Sequence, residues 1–91
     1  MTAFMLIQFD APYDEWKPVF DSDPAGRAEV AKGYVISRAV DNPNDIFVRV
    51  EFDSVDEAKS FREKLLGTGV LRRFPMKMEP TVVEVADQHT Y

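Results

Sequence analysis

The chain has 91 residues, of which 45% are hydrophobic, which fits one domain over residues 1–91 with a modest core. Sixteen Asp and Glu against eleven Lys and Arg give a net charge of -5, which argues against a nucleic-acid or anionic-membrane partner. The absence of cysteine excludes disulfides, thiolate zinc sites and thiol nucleophiles. No basic segment precedes the short N-terminal apolar run, so we expect a soluble cytoplasmic protein.

The first third of the chain predicts a strand and two helical pieces. The apolar run 2–9 ends in a proline turn, which is typical of a buried strand. Tyr13, Trp16 and Phe20 recur at spacings of three and four, which predicts one face of a helix that Pro18 makes irregular. An Asp-Pro pair at 23–24 then predicts a second helical piece that stops at Gly33.

The middle of the chain predicts a hairpin and a capped helix. Residues 34–40 favour a strand, the segment 41–45 supplies turn residues, and 46–52 alternates apolar and mixed positions with a period of two. Ser54 and Glu57 form a capping box ahead of a helix that we expect to end at Gly67. Residues 81–86 form the last predicted strand.

This element order predicts the α+β, ferredoxin-like βαββαβ fold, with a four-stranded antiparallel sheet and two helices on one face. The first strand is apolar on both sides, so the face without helices needs a cover, which a second subunit would supply. A tight hairpin would place Val35 and Ser37 under the helices and Tyr34, Ile36 and Arg38 on the open face. A slip of one residue in the turn would exchange these faces.

The chain also resembles a known superfamily. WKPVFD at 16–21, Gly33, DNPNDIFVRVEFDSVDEAKSF at 41–61 and a closing TVVEV strand are similar to the dimeric α+β-barrel superfamily. Within it, the chain resembles the antibiotic-biosynthesis-monooxygenase-like proteins, some of which are labelled polyketide cyclases. The resemblance implies a homodimer whose open sheet faces form a barrel. It further implies a small-molecule pocket between sheet and helices in each subunit, and it implies no particular reaction.

Some members of that superfamily degrade haem with a Trp and a His on the second helix and an Asn near the end of the first strand. This chain has neither residue on its second helix, and Gln8 stands near the end of the first strand, so haem degradation is disfavoured. Trp16 matches a first-helix aromatic that walls the pocket of the monooxygenases, but no Asn accompanies it. We expect no cofactor and no metal ion.

The candidate site residues each have a functional and a structural interpretation. Trp16, Phe20 and Tyr34 could bind a flat ligand, or they could belong to the core. The charged strand residues could form a polar site if they share a face, or they could form ion pairs in a dimer; they are Arg38, Arg49, Glu51 and Glu84.

Three further residues lie near the ends of predicted elements. Gln8 and Asp10 could reach the pocket mouth, although Asp10 also suits a turn. His89 could serve as an acid or base, or it could lie in an unstructured tail. No catalytic residue is assigned.

Two functional classes remain open. In the first, the protein binds a small aromatic or hydrophobic ligand, and its enzymatic form is a cofactor-independent monooxygenase or polyketide cyclase. In the second, it is a structural or interaction domain that uses its open sheet face only to dimerise. An interior cavity of a few hundred Å³ would favour the first class, and a filled interior would favour the second.

Overall fold

The computed structural model describes residues 2–91 and shows a four-stranded sheet with its helices packed against one face. In chain order the elements are β1 (Ala3–Asp10), α1 (Tyr13–Asp21), α2 (Arg27–Val30), β2 (Gly33–Arg38), β3 (Asp45–Phe52), α3 (Val55–Thr68), a 3₁₀ turn (Val70–Arg73) and β4 (Met76–Glu84). The strand order is β2-β3-β1-β4, and every neighbouring pair is antiparallel. The predicted α+β, ferredoxin-like architecture is therefore confirmed.

The hydrophobic core lies between the sheet and the helices. Alternate residues of the two central strands point into it, and each is at most 4% exposed: Ala3, Met5, Ile7 and Phe9 from β1, and Ile46, Val48, Val50 and Phe52 from β3. The apolar face that the sequence predicted for β3 is thus the covered one. From α3, Phe61 packs its ring 5.4 Å from that of Phe52. Full burial of such a side chain contributes roughly 1.5–3 kcal/mol, so this layer dominates the stability.

The helix α3 begins as predicted and ends at Thr68, one residue later than predicted. The Ser54 hydroxyl accepts a hydrogen bond from the backbone N–H of Glu57 at 3.1 Å, which is the predicted cap. The helix continues through Gly67 and stops at Gly69, whose φ of 73° is left-handed. Two glycines offered an end point, and the later one takes the conformation that a helix terminus favours. No helix within residues 2–91 is long and apolar enough to cross a lipid bilayer.

The strand β4 begins at Met76, five residues before the predicted start at Thr81. Pro80 lies inside this strand, although proline has no N–H to donate to a neighbouring strand. The pairing of β4 with β1 shifts register twice between Leu6 and Phe9, and β4 is an edge strand. An edge with a bulge tolerates proline, because the lost donor has no ladder partner there.

The segment between α1 and β2 is less helical than predicted. The helix α1 runs through Pro18 without a break, whereas the second helical piece shrinks to the four residues of α2. Gly26 is left-handed with φ of 74°, and Ala31 is already extended. The N-cap residue of α2 is Gly26 rather than Asp23, but the Asp23 carboxylate accepts hydrogen bonds from the backbone N–H groups of Arg27 (2.6 Å) and Ala28 (3.0 Å) in the first turn.

The predicted faces of β2 are wrong. In the observed register Tyr34 pairs with Val50, Ile36 with Val48 and Arg38 with Ile46, which places these three β2 residues on the helix side. Val35 and Ser37 lie on the open face instead. The turn of the hairpin accommodates the difference of one residue between the predicted and the observed register. A shift of one residue moves every side chain of a strand to the opposite face of the sheet.

Candidate ligand pocket

A pocket lies between the covered face of the sheet and the segment that joins α1 to β2. Its walls are mostly apolar, and they include Phe9, Trp16, Phe20, Val48 and Phe61. The cavity measures about 60 Å³. A cavity of roughly 150 Å³ accommodates benzene, and ligand pockets usually measure about 300–1,000 Å³. In this conformation the pocket is therefore nearly filled by its own side chains.

Four aromatic rings of the first half of the chain form a row, and three of them, Phe9, Trp16 and Phe20, line this pocket. The Trp16 ring centroid is 5.4 Å from that of Phe9 and 4.9 Å from that of Phe20, and Tyr34 meets Phe20 edge-on at 4.9 Å. Trp16 is 2% exposed and lies in the core, whereas Tyr34 is 46% exposed. The row therefore runs from the interior to the surface, and the predicted ligand-binding residues lie together in it.

The spacing on α1 and the observed register of β2 create this row. Trp16 and Phe20 are four residues apart, so they lie on the same face of α1. Tyr34 joins them because β2 presents it to the helix side, which the predicted register had excluded. The sequence grouped these three aromatic residues as candidates, but its predicted register of β2 did not bring them together.

Arg27 is part of the pocket, and the sequence reasoning missed it. Its guanidinium carbon lies 3.8 Å from the centroid of the Phe20 ring and 5.0 Å from that of Tyr34. The side chain is only 13% exposed. Both distances fit cation–π contacts. One sequence feature could have indicated it, because Arg27 is the only basic residue between Lys17 and Lys32 and falls in a predicted helix beside the aromatic face.

The charged strand residues do not form one cluster. Arg38 lies on the helix side, with its guanidinium 4.7 Å from the Tyr13 ring centroid. Arg49 lies on the open face over the Phe4 ring at 5.1 Å, and Glu51 on the same face is 3.6 Å from the amine of Lys32. Glu84 pairs with Ala3, at the opposite end of the sheet from Arg38. None of these four residues lines the pocket.

The residues predicted at the pocket mouth also lie elsewhere. Gln8 pairs with Phe47 on the open face, and Asp10 follows it there, opposite Asp45. His89 lies in the exposed C-terminal tail, where its ring centroid is 4.6 Å from that of Tyr91. Strand alternation explains the displacement of Gln8 and Asp10, because even-numbered residues of β1 point away from the helices.

A polar cluster that the sequence did not predict occupies one end of the open face. The Lys77 amine is 2.6 Å from Asp45 Oδ1, and Gln8 Nε2 donates to the same oxygen at 3.2 Å. The hydrogen bond from Lys77 lowers the pKa of the Asp45 carboxyl, and that from Gln8 lowers it further. The same contact with Asp45 raises the pKa of Lys77. Within residues 2–91, no group of three or more His, Cys, Asp or Glu residues is arranged for a metal ion.

The fold is similar to those of several solved structures. SnoaB, a cofactor-independent oxygenase from Streptomyces nogalater, aligns with a TM-score of 0.74 and 15% identity over 96% of this chain and 95% of SnoaB. A candidate antibiotic biosynthesis monooxygenase from Nitrosomonas europaea aligns with a TM-score of 0.64 and 11% identity, covering 90% of this chain and 86% of that one. A dimeric protein of unknown function and ferredoxin-like fold from Bacteroides fragilis aligns with a TM-score of 0.54 and 20% identity, covering 92% of this chain and 96% of that one.

These similarities confirm the predicted resemblance to monooxygenase-like proteins of this fold, and at such identities they establish the fold alone. Neither a family model nor a curated protein sequence matches the chain.

Proposed function

We propose that this protein binds a flat, apolar small molecule in the pocket between the sheet and the α1–α2 segment, and that it does so as a homodimer. The observation that carries the proposal is the row of aromatic rings along an otherwise apolar wall. Planar rings and an apolar lining with few polar groups are typical of small-molecule sites. The structural similarity to a cofactor-independent oxygenase supports the same interpretation.

In its enzymatic form this protein would be a cofactor-independent monooxygenase or cyclase that acts on an aromatic or polyketide-like substrate. Such an enzyme would position a substrate that is itself reactive, and would exclude water from it. The candidates Arg38, Arg49, Glu51 and His89 lie away from the pocket wall, so the proposal gives them no catalytic role.

Ligand binding at this site requires the cavity of about 60 Å³ to enlarge. Within the segment 23–30, the residues that line the pocket are Asp23, Pro24, Ala25 and Arg27, and α2 contributes no buried residue. Displacing this segment would expose little of the core, so it is the part of the wall whose opening costs least free energy. We therefore propose that the ligand enters beside α2.

The proposed homodimer would use the open sheet face. Val35 and Phe47 are 46% and 42% exposed there, and Phe4 and Leu6 lie on the same face. Apolar side chains on an uncovered sheet favour a second protein layer, and the structural neighbours include a dimeric protein of this fold. The expected cytoplasmic location stays a prediction.

The experiment that tests ligand binding is an NMR titration with the neutral aromatic 2-naphthylmethanol. The protein has one Trp, so the indole N–H of Trp16 gives a single assigned resonance that should shift during the titration. The variant Ala25→Phe adds a ring at the pocket wall and should abolish the shift. The control Ala28→Phe adds the same ring at an exposed position of the same segment and should leave the shift intact. An unchanged Trp16 resonance in the wild type would refute the proposal.

The small cavity favours a second candidate function, a non-catalytic interaction domain whose interior is closed. In that case the open sheet face carries the function, and the pocket residues are only core. The same titration separates the two candidates. A protein that dimerises but leaves the Trp16 resonance unmoved by the aromatic probe would support the interaction domain.

A further inference from the structure

Arg27 places the one positive charge of the pocket wall at its mouth. The residues lining the pocket are otherwise uncharged except for Asp23. The guanidinium covers the Phe20 ring and reaches toward Tyr34, where the aromatic row meets the surface. A flat ligand lying along the row would therefore have its outer edge beside this guanidinium.

Most hydrogen-bond donors of this guanidinium are free within the described residues. A guanidinium has five N–H groups. Its only hydrogen bond to residues 2–91 runs from Nη1 to the Phe20 carbonyl oxygen at 3.3 Å. The nearest Asp23 oxygen is 4.0 Å from Nη1, which is too long for a hydrogen bond. The wall thus offers a planar set of donors without matching acceptors.

Asp23 does not neutralise this site by direct bonding. Its Oδ1 accepts from the backbone N–H of Arg27 at 2.6 Å, and its Oδ2 accepts from that of Ala28 at 3.0 Å. These bonds hold the carboxylate against the α2 backbone. They leave the guanidinium plane available for two parallel hydrogen bonds to an oxyanion, the geometry that arginine favours.

We propose that Arg27 determines the specificity of the pocket and selects flat aromatic compounds that carry an acidic oxygen group, a carboxylate or a phenolate, at one edge. The inference rests on the proposed function, since it assigns a substrate class to the same pocket. The 13% exposure of the side chain limits the water that screens an oxyanion beside it, and the two hydrogen bonds that Asp23 accepts from the α2 backbone offset part of the opposing carboxylate charge at 4.0 Å. The aromatic body of the ligand would stack along Trp16 and Phe20.

The test compares two probes of the same ring system by isothermal titration calorimetry, 2-naphthoate and neutral 2-naphthylmethanol. The wild type should bind the carboxylate about 10- to 100-fold more tightly, as expected for a charge-assisted hydrogen bond in place of a neutral one. Arg27→Met should remove this preference and retain binding of the alcohol. Arg27→Lys should keep part of the preference, because an ammonium lacks the planar set of donors.

Arg72→Met is the matched control. Arg72 is exposed on the 3₁₀ turn and does not line the pocket, so its loss should leave the preference unchanged. Equal loss of preference in the Arg27 and Arg72 variants would refute the proposal in favour of a general charge effect.

The outcomes for the wild type separate this inference from the proposed function. Equal affinity for the two probes would refute the role of Arg27 and leave the ligand pocket standing. Binding of neither probe would refute the proposed function and this inference with it. Circular dichroism checks that the variants fold, and if Arg27→Met does not, the wild type and Arg27→Lys decide the question.

Discussion

The two faces of the sheet come from the same strands and differ in polarity. On the helix side, the central strands present eight apolar residues that are at most 4% exposed. On the open side, the same strands present Phe4 and Leu6 together with Gln8, and Phe47 together with Arg49 and Glu51. The comparison teaches that the first face holds the fold together, whereas the second leaves apolar side chains uncovered among polar ones.

The polar residues of the open face lie close to its apolar ones. The Arg49 guanidinium lies over the Phe4 ring, and Lys32 lies within 4 Å of both Glu51 and Asp53. Charges on an uncovered sheet disfavour pairing with wrong partners, since an incorrect partner would bury them unpaired. In the proposed homodimer, these charges would favour one specific partner over any apolar surface.

The largest predicted effect concerns the covered face. Phe52→Ala removes a fully buried ring that packs on Phe61, so it should lower the free energy of unfolding by about 3–5 kcal/mol. Phe47→Ala, the same change on the open face, should cost far less in dilute, monomeric protein. Urea denaturation of both variants measures the difference. An equal decrease in the free energy of unfolding for both variants would show that the two faces contribute equally to stability.

The next prediction concerns assembly through the open face. Phe47→Asp should give monomeric or insoluble protein, because an unpaired buried charge costs about 3–5 kcal/mol, or roughly 150- to 4,000-fold in the dimer Kd. Analytical ultracentrifugation of the wild type and the variant provides the readout. The control Leu66→Asp places the same charge at an exposed apolar position of α3 and should leave the dimer intact. A stable dimer carrying Asp at position 47 would rule out this face as the interface.

A smaller effect tests the observed register of β2. Ile36 packs against the core, so Ile36→Ala should lower the free energy of unfolding by about 1–3 kcal/mol at every protein concentration. Val35 lies on the open face, so Val35→Ala should matter only at concentrations where the dimer forms. Thermal unfolding at two protein concentrations distinguishes them. The reversed pattern would restore the register that the sequence suggested.

The smallest predicted effect is a dependence of stability on pH at the open face. Lys77 holds the pKa of Asp45 below its ordinary 3.8, so this contact stabilises the fold above that pH and ceases to do so as the pH falls through the lowered folded value. Lys77→Met should therefore lower the melting temperature slightly at pH 7, and the difference from wild type should vanish in acid. Lys59→Met, at an exposed position of α3, provides the control. A difference that persists at low pH would contradict this account.

Local patterns predicted most of the elements but misplaced several ends. The Ser54 cap and the alternation of β3 depend on neighbours in the chain, and both were confirmed. The end of α3 and the start of β4 were wrong, because two glycines competed for one helix end and an edge bulge accommodates Pro80. Such choices depend on partners that are distant in sequence.

The pocket could be predicted only in part, for the same reason. Trp16 and Phe20 share a helix face, so their proximity follows from sequence spacing. Arg27 meets Phe20 and Tyr34 only because the chain folds back between α1 and β2. The spacing of Arg27, Phe20 and Tyr34 in the sequence does not predict that they lie together.

The amino-acid sequence by itself determined the element order, the covered face of β3 and hence the ferredoxin-like fold, because periodicity and capping act within a few residues. Only the tertiary structure decided which face of β2 meets the helices, since one residue of turn length exchanges the two faces at little local cost. It also decided the size of the pocket and the position of Arg27 at its mouth. Both features arise from packing between segments that are distant in sequence, so the pocket volume and the contacts of Arg27 depend on the whole fold.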